Sequence, residues 1–195
     1  HRFYVDERVI VPRSFIAELL RESLSPWVAE PAKVRNALDL CTGSGATPLA
    51  VDQEVPGAGV HAVELDEVAF GWAQRNLSGS GVDLRLGDAA DAFADLDGTV
   101  DVVVSNPPYI PLDAWESVAP EVRDHDPALA LWSGDDGLDA MRMIEATAWR
   151  LLRPGGVVGV EHADVQDESG PAVFVPPWAE VGRHRSEAAG RLAAG

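Results

Sequence analysis

The clearest pattern in the chain is the run Val100-Asp101-Val102-Val103-Val104-Ser105, apolar and β-branched at most positions, which stops at Asn106-Pro107-Pro108-Tyr109. Continuous apolarity of this kind suits a strand buried on both faces of a parallel sheet, and two prolines without N–H groups cannot continue a central ladder. Further short apolar runs read as strands: Ala37-Leu38-Asp39-Leu40, Val60-His61-Ala62-Val63-Glu64, Val82-Asp83-Leu84-Arg85-Leu86 and Val157-Val158-Gly159-Val160-Glu161. Helical spacing follows Gly45-Ala46, spans Glu67 to Leu77, and returns from about Leu138 to Leu152. No internal repeat interrupts this alternation, which predicts an α/β chain with a Rossmann-like, mostly parallel, doubly wound sheet. Upstream, Phe3-Tyr4-Val5 and Val9-Ile10-Val11-Pro12 flank Asp6-Glu7-Arg8 and predict an N-terminal β-hairpin. Ser14 is placed to cap a helix carrying Phe15, Ile16, Leu19, Leu20 and Leu24 that ends before Pro26. Past the fifth strand, Gln166 to Val175 predict another helix and residues 191–195 a reduced final strand.

With 195 residues, 46% of them hydrophobic, the chain suffices for one well-formed core. Residues 1–33 are expected to form the hairpin and helix, and 34–195 the main domain. No apolar run reaches the length of a membrane span, and His1-Arg2-Phe3-Tyr4-Val5-Asp6 lacks the basic and apolar regions of a signal peptide, so a soluble, cytoplasmic protein is expected. The single cysteine, Cys41, excludes an internal disulfide framework or a multi-cysteine zinc site, and reads most simply as a small buried residue. A formal charge of −17 disfavours a broad phosphate-binding surface, so no direct nucleic-acid binding is expected. A basic protein partner fits that charge, and so does solubility or salt adaptation alone.

Ligands of open α/β sheets bind beyond the carboxyl ends of the strands. Asn106-Pro107-Pro108-Tyr109 at such an end reads as a rigid substrate clamp or, more plainly, as a tight turn. The turn Asp39-Leu40-Cys41-Thr42-Gly43-Ser44-Gly45 approaches a dinucleotide fingerprint, but Pro48 stands where the third glycine would fall. That disfavours NAD and suits a nucleoside ligand without pyrophosphate, such as S-adenosylmethionine, with Gly43 and Gly45 admitting close backbone approach. Glu64, nineteen positions after Gly45 at the end of the second strand, can accept both ribose hydroxyl protons. Each feature alone has a structural use; in order on successive strands they indicate a methyltransferase.

Together, Asp39-Leu40-Cys41-Thr42-Gly43-Ser44-Gly45 and Asn106-Pro107-Pro108-Tyr109-Ile110 resemble the HemK-type protein-(glutamine-N(5)) methyltransferases. The similarity extends to Val5-Asp6-Glu7-Arg8-Val9-Ile10-Val11-Pro12-Arg13 and Ser133-Gly134-Asp135-Asp136-Gly137-Leu138-Asp139, and spans about residues 3 to 168. Asn-Pro-Pro-Tyr is shared with DNA adenine and some rRNA guanine methyltransferases, whereas the flanking motifs narrow it to protein glutamine. The resemblance implies a class I fold and a cofactor-binding set of Asp39, Cys41, Thr42, Gly43, Ser44, Gly45, Glu64, Asp88, Ala89 and Asn106. Cys41 to Gly45 would hold the methionine part, Glu64 the ribose, and Asp88 with Ala89 the adenine, with S-adenosylhomocysteine as product. Asn106, Pro107, Pro108 and Tyr109 form the implied catalytic set. Asn106 would touch both cofactor and substrate.

An amide nitrogen is a poor nucleophile, its lone pair delocalised into the carbonyl. If the Asn106 side-chain oxygen and the Pro107 carbonyl each accept one amide N–H, they aim that lone pair at the sulfonium methyl and reject glutamate. Pro108 would stiffen the clamp and Tyr109 pack over the amide. No metal is required for this chemistry, so Asp124-His125-Asp126 is expected to shape the loop, with a metal or acid/base site the alternative. Trp115, Trp132 and Trp149 are expected to be structural, as core aromatics, with stacking on a substrate the alternative. His162, in Glu161-His162-Ala163, departs from the Ile-Gly more common in the family.

The family's separate N-terminal helical substrate-recognition domain is absent from this sequence. The expected substrate is a protein. The Val11 to Leu20 segment resembles enzymes of a large-subunit ribosomal protein, whereas Pro120 to Pro127 and Ser133 to Leu138 resemble those of peptide-chain release factors, which are favoured. The release-factor glutamine lies in a Gly-Gly-Gln loop whose glycines can thread a narrow mouth. A nucleic-acid methyltransferase and an inactive cofactor-binding module are the alternative classes.

Overall fold

A computed structural model describes residues 3–11, 14, 16, 28, 30–175, 178 and 181. Five strands, β1 (Asn36–Leu40), β2 (Gly59–Glu64), β3 (Asp83–Leu86), β4 (Val100–Ser105) and β5 (Leu152–Val160), form one parallel sheet in the order β3-β2-β1-β4-β5. Helices α1 (Ala46–Glu54), α2 (Glu67–Asn76) and α5 (Asp139–Leu151) join them, and the long β4–α5 connection holds the one-turn helices α3 (Pro120–Arg123) and α4 (Ala128–Leu131).

The apolar pattern explains the layers, because successive strand side chains point to opposite faces. Leu38, Leu40, Val63 and Val103 pack with Phe93 and with Ile144, Ala148 and Leu151 of α5 on one face. Ala37, Val60, Val102 and Val104 pack with Val51 and Val55 on the other. Every β4 residue is buried, in agreement with its unbroken apolar run. Its one charged residue, Asp101, accepts hydrogen bonds from the backbone N–H groups of Arg35 (2.7 Å) and Asn36 (2.9 Å) and pairs with Arg153, tying together the amino ends of β1, β4 and β5. Burial pushes the Asp101 carboxyl up, but those two N–H donors and the Arg153 guanidinium outweigh it and hold the group below its ordinary range.

Several sequence expectations need correction. Residues 3–11 form a turn, with the Val9 N–H donating to the Asp6 carbonyl (3.2 Å), and no hairpin ladder. The backbone groups a hairpin would pair are engaged elsewhere: the Tyr4 N–H donates to Asn76 Oδ1 (2.8 Å) and its carbonyl accepts from Asn76 Nδ2 (2.9 Å). In place of a helix over Gln166 to Val175 there are two 3-10 turns, Asp164–Gln166 and Pro171–Val173. Pro171 has no N–H with which to continue a helix through this region. Strand five begins earlier than expected, directly from α5, and its register jumps from Val100↔Leu152 to Val102↔Val157, so residues 153–156 bulge. Most of the expected helix after Ser14, and the expected strand over 191–195, lie outside the described residues. Among the described residues no helix is long and apolar enough to cross a membrane.

Candidate active site

Where β1 ends, the backbone turns through three left-handed residues, Cys41 (φ 62°), Gly43 (φ 56°) and Gly45 (φ 86°). The Thr42 N–H donates to the Val63 carbonyl (3.1 Å), which carries the sheet one bond further, and the Gly45 N–H closes the turn on the Thr42 carbonyl (3.0 Å). The two glycines serve different ends. A Cβ on Gly45 would stand 3.1 Å from Leu77 Cγ and 3.4 Å from Ala73 Cα, so its bareness lets the α2 side of the domain pack against the turn. Among the described residues a Cβ on Gly43 would meet nothing nearer than Ile10 Cγ2 at 4.0 Å, so no packing contact demands its bareness there. Ser44 is buried, its carbonyl accepting from Asn76 Nδ2 (2.9 Å).

Carboxyl groups gather behind this turn. Glu64, buried at the end of β2, accepts from the backbone N–H groups of Gly43 (2.7 Å) and Asp66 (2.8 Å). Burial pushes its pKa up against the pull of those donors. Asp39 is 1% exposed; its Oδ2 accepts from the Thr42 hydroxyl, and its Oδ1 has no partner among the described residues. Burial, opposed by Thr42 and reinforced by Glu64 and Glu161, pushes the Asp39 carboxyl up to about 8. Burial likewise raises the half-buried Cys41 thiol to about 12, with Glu64 and Asp39 adding to the effect. A thiol held protonated is no nucleophile. Glu161, at the exit of β5, accepts from the Ser14 hydroxyl (2.5 Å) and the Ile16 N–H (2.9 Å).

The Asn106–Tyr109 turn begins one strand away, since Leu40 of β1 pairs with Ser105 of β4. The buried Ser105 hydroxyl donates to the Leu40 carbonyl (2.6 Å), and the Ser105 carbonyl accepts from the Glu161 N–H (3.0 Å). Asn106 follows, half-buried, and its side chain makes no hydrogen bond among the described residues. Pro107 is buried, with Pro108 and Tyr109 half-buried. The structure thus brings the Asp39–Gly45 turn, Glu64 and Asn106 together at the carboxyl ends of three neighbouring strands. Asp88 and Ala89 follow the edge strand β3. Asp88 is exposed with its carboxylate accepting from the Ala90 N–H (2.9 Å), and Ala89 is buried in the core.

Gln166 was not singled out by the sequence. It is 3% exposed, and its Nε2 donates to the carbonyls of Tyr109 (3.0 Å) and Gly137 (3.1 Å) while its Oε1 accepts from the Ala163 N–H (3.0 Å). It therefore anchors the end of the Asn106–Tyr109 turn to the β5 exit. The sequence placed it only at the start of the helix expected over Gln166 to Val175. Trp115 and Trp149 are about half exposed and so are not core residues. They pair instead with Trp132 (centroids 5.3 Å apart) and Trp178 (5.4 Å) respectively. Within Asp124-His125-Asp126, Asp124 is turned onto Arg123 (2.7 Å) and His125 is exposed. His162 is half-buried, with Nδ1 2.9 Å from the Ala163 carbonyl.

Residues 17–119 match the family described as methyltransferase small domain. The chain is 55% identical over 185 residues to a release factor glutamine methyltransferase of Streptomyces coelicolor, covering 91% of this chain and 66% of that protein. It is 45% identical to a 4-amino-L-phenylalanine/4-methylamino-L-phenylalanine methyltransferase of Streptomyces pristinaespiralis (89% and 60% covered). A ribosomal protein uL3 glutamine methyltransferase of Neisseria meningitidis is 47% identical (85% and 54% covered). The chain therefore spans between 54% and 66% of the length of these curated relatives. Among solved structures, TrmN from Thermus thermophilus superposes with a TM-score of 0.56 at 23% identity, over 82% of this chain and 40% of that one, a likeness of fold.

Proposed function

The chain belongs to the methyltransferase small domain family, and on that premise we propose that it transfers the methyl group of S-adenosylmethionine to the side-chain amide nitrogen of a glutamine in a protein, with a peptide-chain release factor as the substrate. The observation that carries this reading is the Leu40↔Ser105 pairing, which sets a carboxyl-lined turn open at Gly43 directly beside an Asn-Pro-Pro-Tyr turn whose asparagine is uncommitted.

The residues present fit the cofactor. Each Glu64 oxygen already takes one backbone N–H and keeps lone pairs for a ribose hydroxyl, and the partnerless Asp39 Oδ1 suits a cationic methionine end. Gly43 leaves room for its approach. Cys41, Thr42, Ser44 and Gly45 shape that turn, while Asp88 and Ala89, at the β3 exit, lie where an adenine would rest. The bound cofactor supplies an activated methyl on sulfur. The chain supplies position: Asn106 Oδ1 and the Pro107 carbonyl each accept one N–H of the glutamine amide, which exposes the nitrogen lone pair. Pro108 limits the turn's freedom and Tyr109 packs on the amide, held at its carbonyl by Gln166. After transfer the nitrogen has lost its amide resonance and is acidic, so its proton leaves without a dedicated base.

The glutamine specificity is supported by the relatives' names, and the 55% identity to the release-factor enzyme against 47% to the uL3 enzyme favours a release factor. The test offers labelled cofactor to a folded release factor, its Gly-Gly-Glu version, ribosomal protein uL3 and 4-amino-phenylalanine side by side, with the methyl group located by mass spectrometry. Label on the release-factor glutamine, and none on the glutamate version, is expected. Preferential label on either of the other acceptors would reverse the substrate choice.

A further inference from the structure

Beside the acceptor turn the chain presents apolar surface that its own core does not use. The 3-10 turn Leu112–Ser117 stacks side chains three apart, so Leu112 and Trp115 share a face, and they are 54% and 49% exposed. Trp115 lies against Trp132 with the rings 25° from parallel. The Arg123 guanidinium stands 5.3 Å from the centre of the Trp115 ring while held by Asp124. Exposed carboxylates, Asp113, Glu116 and Glu121, rim the same segment. The segment is fastened to the acceptor turn: Trp132 bridges to Ile110, whose N–H donates to the Leu131 carbonyl (2.9 Å), and the Leu112 N–H donates to the Gly134 carbonyl (2.9 Å). Ile110 is four positions beyond Asn106.

We infer that the Trp115–Trp132 pair, with Leu112 and the carboxylates around it, is a docking surface for a basic, partly apolar segment of the protein substrate that flanks the methyl-accepting glutamine. This rests on the glutamine-transfer reading and adds a second point of substrate recognition to it. The occupant follows from the chemistry on the surface. An indole ring attracts a cation; with Trp132 stacked on it and the Arg123 guanidinium over it, Trp115 still keeps about half of its surface, 49%, exposed for a further contact. The surrounding carboxylates complement Lys or Arg and repel an acidic chain, in keeping with the net charge of −17. The backbone hydrogen bonds between Ile110 and the Leu131–Ser133 strip tie this surface to the turn that begins at Asn106, so one substrate segment reaches both.

The test uses two synthetic peptides centred on Gly-Gly-Gln, one flanked by Leu, Arg and Lys and the other by Leu and Glu. Binding is read by calorimetry and transfer by label incorporation. Wild type should prefer the basic peptide, with the preference shrinking as salt is raised. Trp115→Ala should weaken basic-peptide binding and raise its KM about tenfold, leaving kcat at saturation and cofactor affinity unchanged. Trp149→Ala, an exposed tryptophan on α5, should change neither. The exposed pair Asp113→Lys and Glu116→Lys tests the surface without removing the ring, and should abolish the preference for the basic peptide. Equal binding of both peptides by the wild type, no binding of either, or wild-type behaviour of Trp115→Ala and of the lysine pair, would overturn the inference. If the basic peptide binds through Trp115 but is never methylated, glutamine transfer falls and the docking surface stands. If transfer proceeds with an unaltered KM in both variants, the surface falls and the reaction stands.

Discussion

Replacing Asp39 by asparagine isolates a carboxyl that the fold holds at about 8 and an unfolded chain at about 3.9. Between those values the folded chain keeps a proton that the unfolded chain has released. The contribution of Asp39 to stability is therefore fully present below the unfolded value and is lost as pH rises towards the folded one. One proton corresponds to about 1.4 kcal/mol per pH unit, so near neutrality the loss is roughly 4 kcal/mol, and it approaches roughly 5 kcal/mol at the folded value. Asparagine has almost the same shape, can accept the Thr42 hydroxyl and does not titrate. Its NH2 group inherits the place without a partner, at about 1–3 kcal/mol. The variant should thus be no more stable than wild type in mild acid, and about 2–4 kcal/mol more stable at mildly alkaline pH without ligand. Urea unfolding of both proteins across the pH range, at equal m-values, measures the difference. The carboxyls held low by ion pairs, Asp83 and Asp101 among them, act in the opposite sense: they lose stability as pH falls. They are common to both proteins and cancel. Two parallel stability curves would refute the argument. In the presence of S-adenosylmethionine the order should reverse, because asparagine offers its cationic end no charge.

Asn106→Ala should abolish methyl transfer, read by label incorporation, while leaving the unfolding midpoint close to wild type. Glu64→Gln keeps the shape of the ribose acceptor but removes its charge and turns two N–H groups onto a neutral oxygen or an NH2. Cofactor binding should weaken about tenfold or more, as measured by calorimetry. Gln166→Leu strands the Tyr109 and Gly137 carbonyls and should lower stability by about 1–3 kcal/mol. Its kcat should fall with little change in cofactor affinity, which single-turnover kinetics would separate from simple unfolding. Asp101→Ala leaves the Arg35 and Asn36 backbone N–H groups without their acceptor at the end of the sheet far from the site, and should lower stability by about 1–3 kcal/mol with an unchanged KM, measured on the folded fraction.

The strands that position the site were legible because each is a local, nearly unbroken apolar run: β1, β2 and β4 fall within a residue or two of where their sequences place them. The acids at their ends were legible for the same reason. What stayed hidden depended on partners distant in sequence. The Tyr4–Val11 stretch has strand-like composition, yet Asn76, seventy-two positions away, takes the Tyr4 backbone groups. Gln166 reaches carbonyls 57 and 29 positions back, a relation that no local spacing encodes. The 153–156 bulge follows from α5 feeding β5 without a loop, which a reading that starts the strand after the paired glycines could not detect. Gly43 and Gly45 looked alike in sequence. Only the neighbourhood of each distinguishes an open face from a packing contact.

The Leu40↔Ser105 pairing has a consequence for how such a protein can change its acceptor. Adjacent strands lie about 4.8 Å apart whatever is attached to their ends. The spacing between donor turn and acceptor turn is therefore a property of a backbone ladder, locked from below by the Ser105 hydroxyl on the Leu40 carbonyl. The segment from Ile110 to Leu138 hangs outside that ladder like an exchangeable jaw on a fixed gauge. Its length and side chains can be rewritten without altering the spacing between the two turns, which leaves the partner of such a site free to vary while the sheet stays as it is.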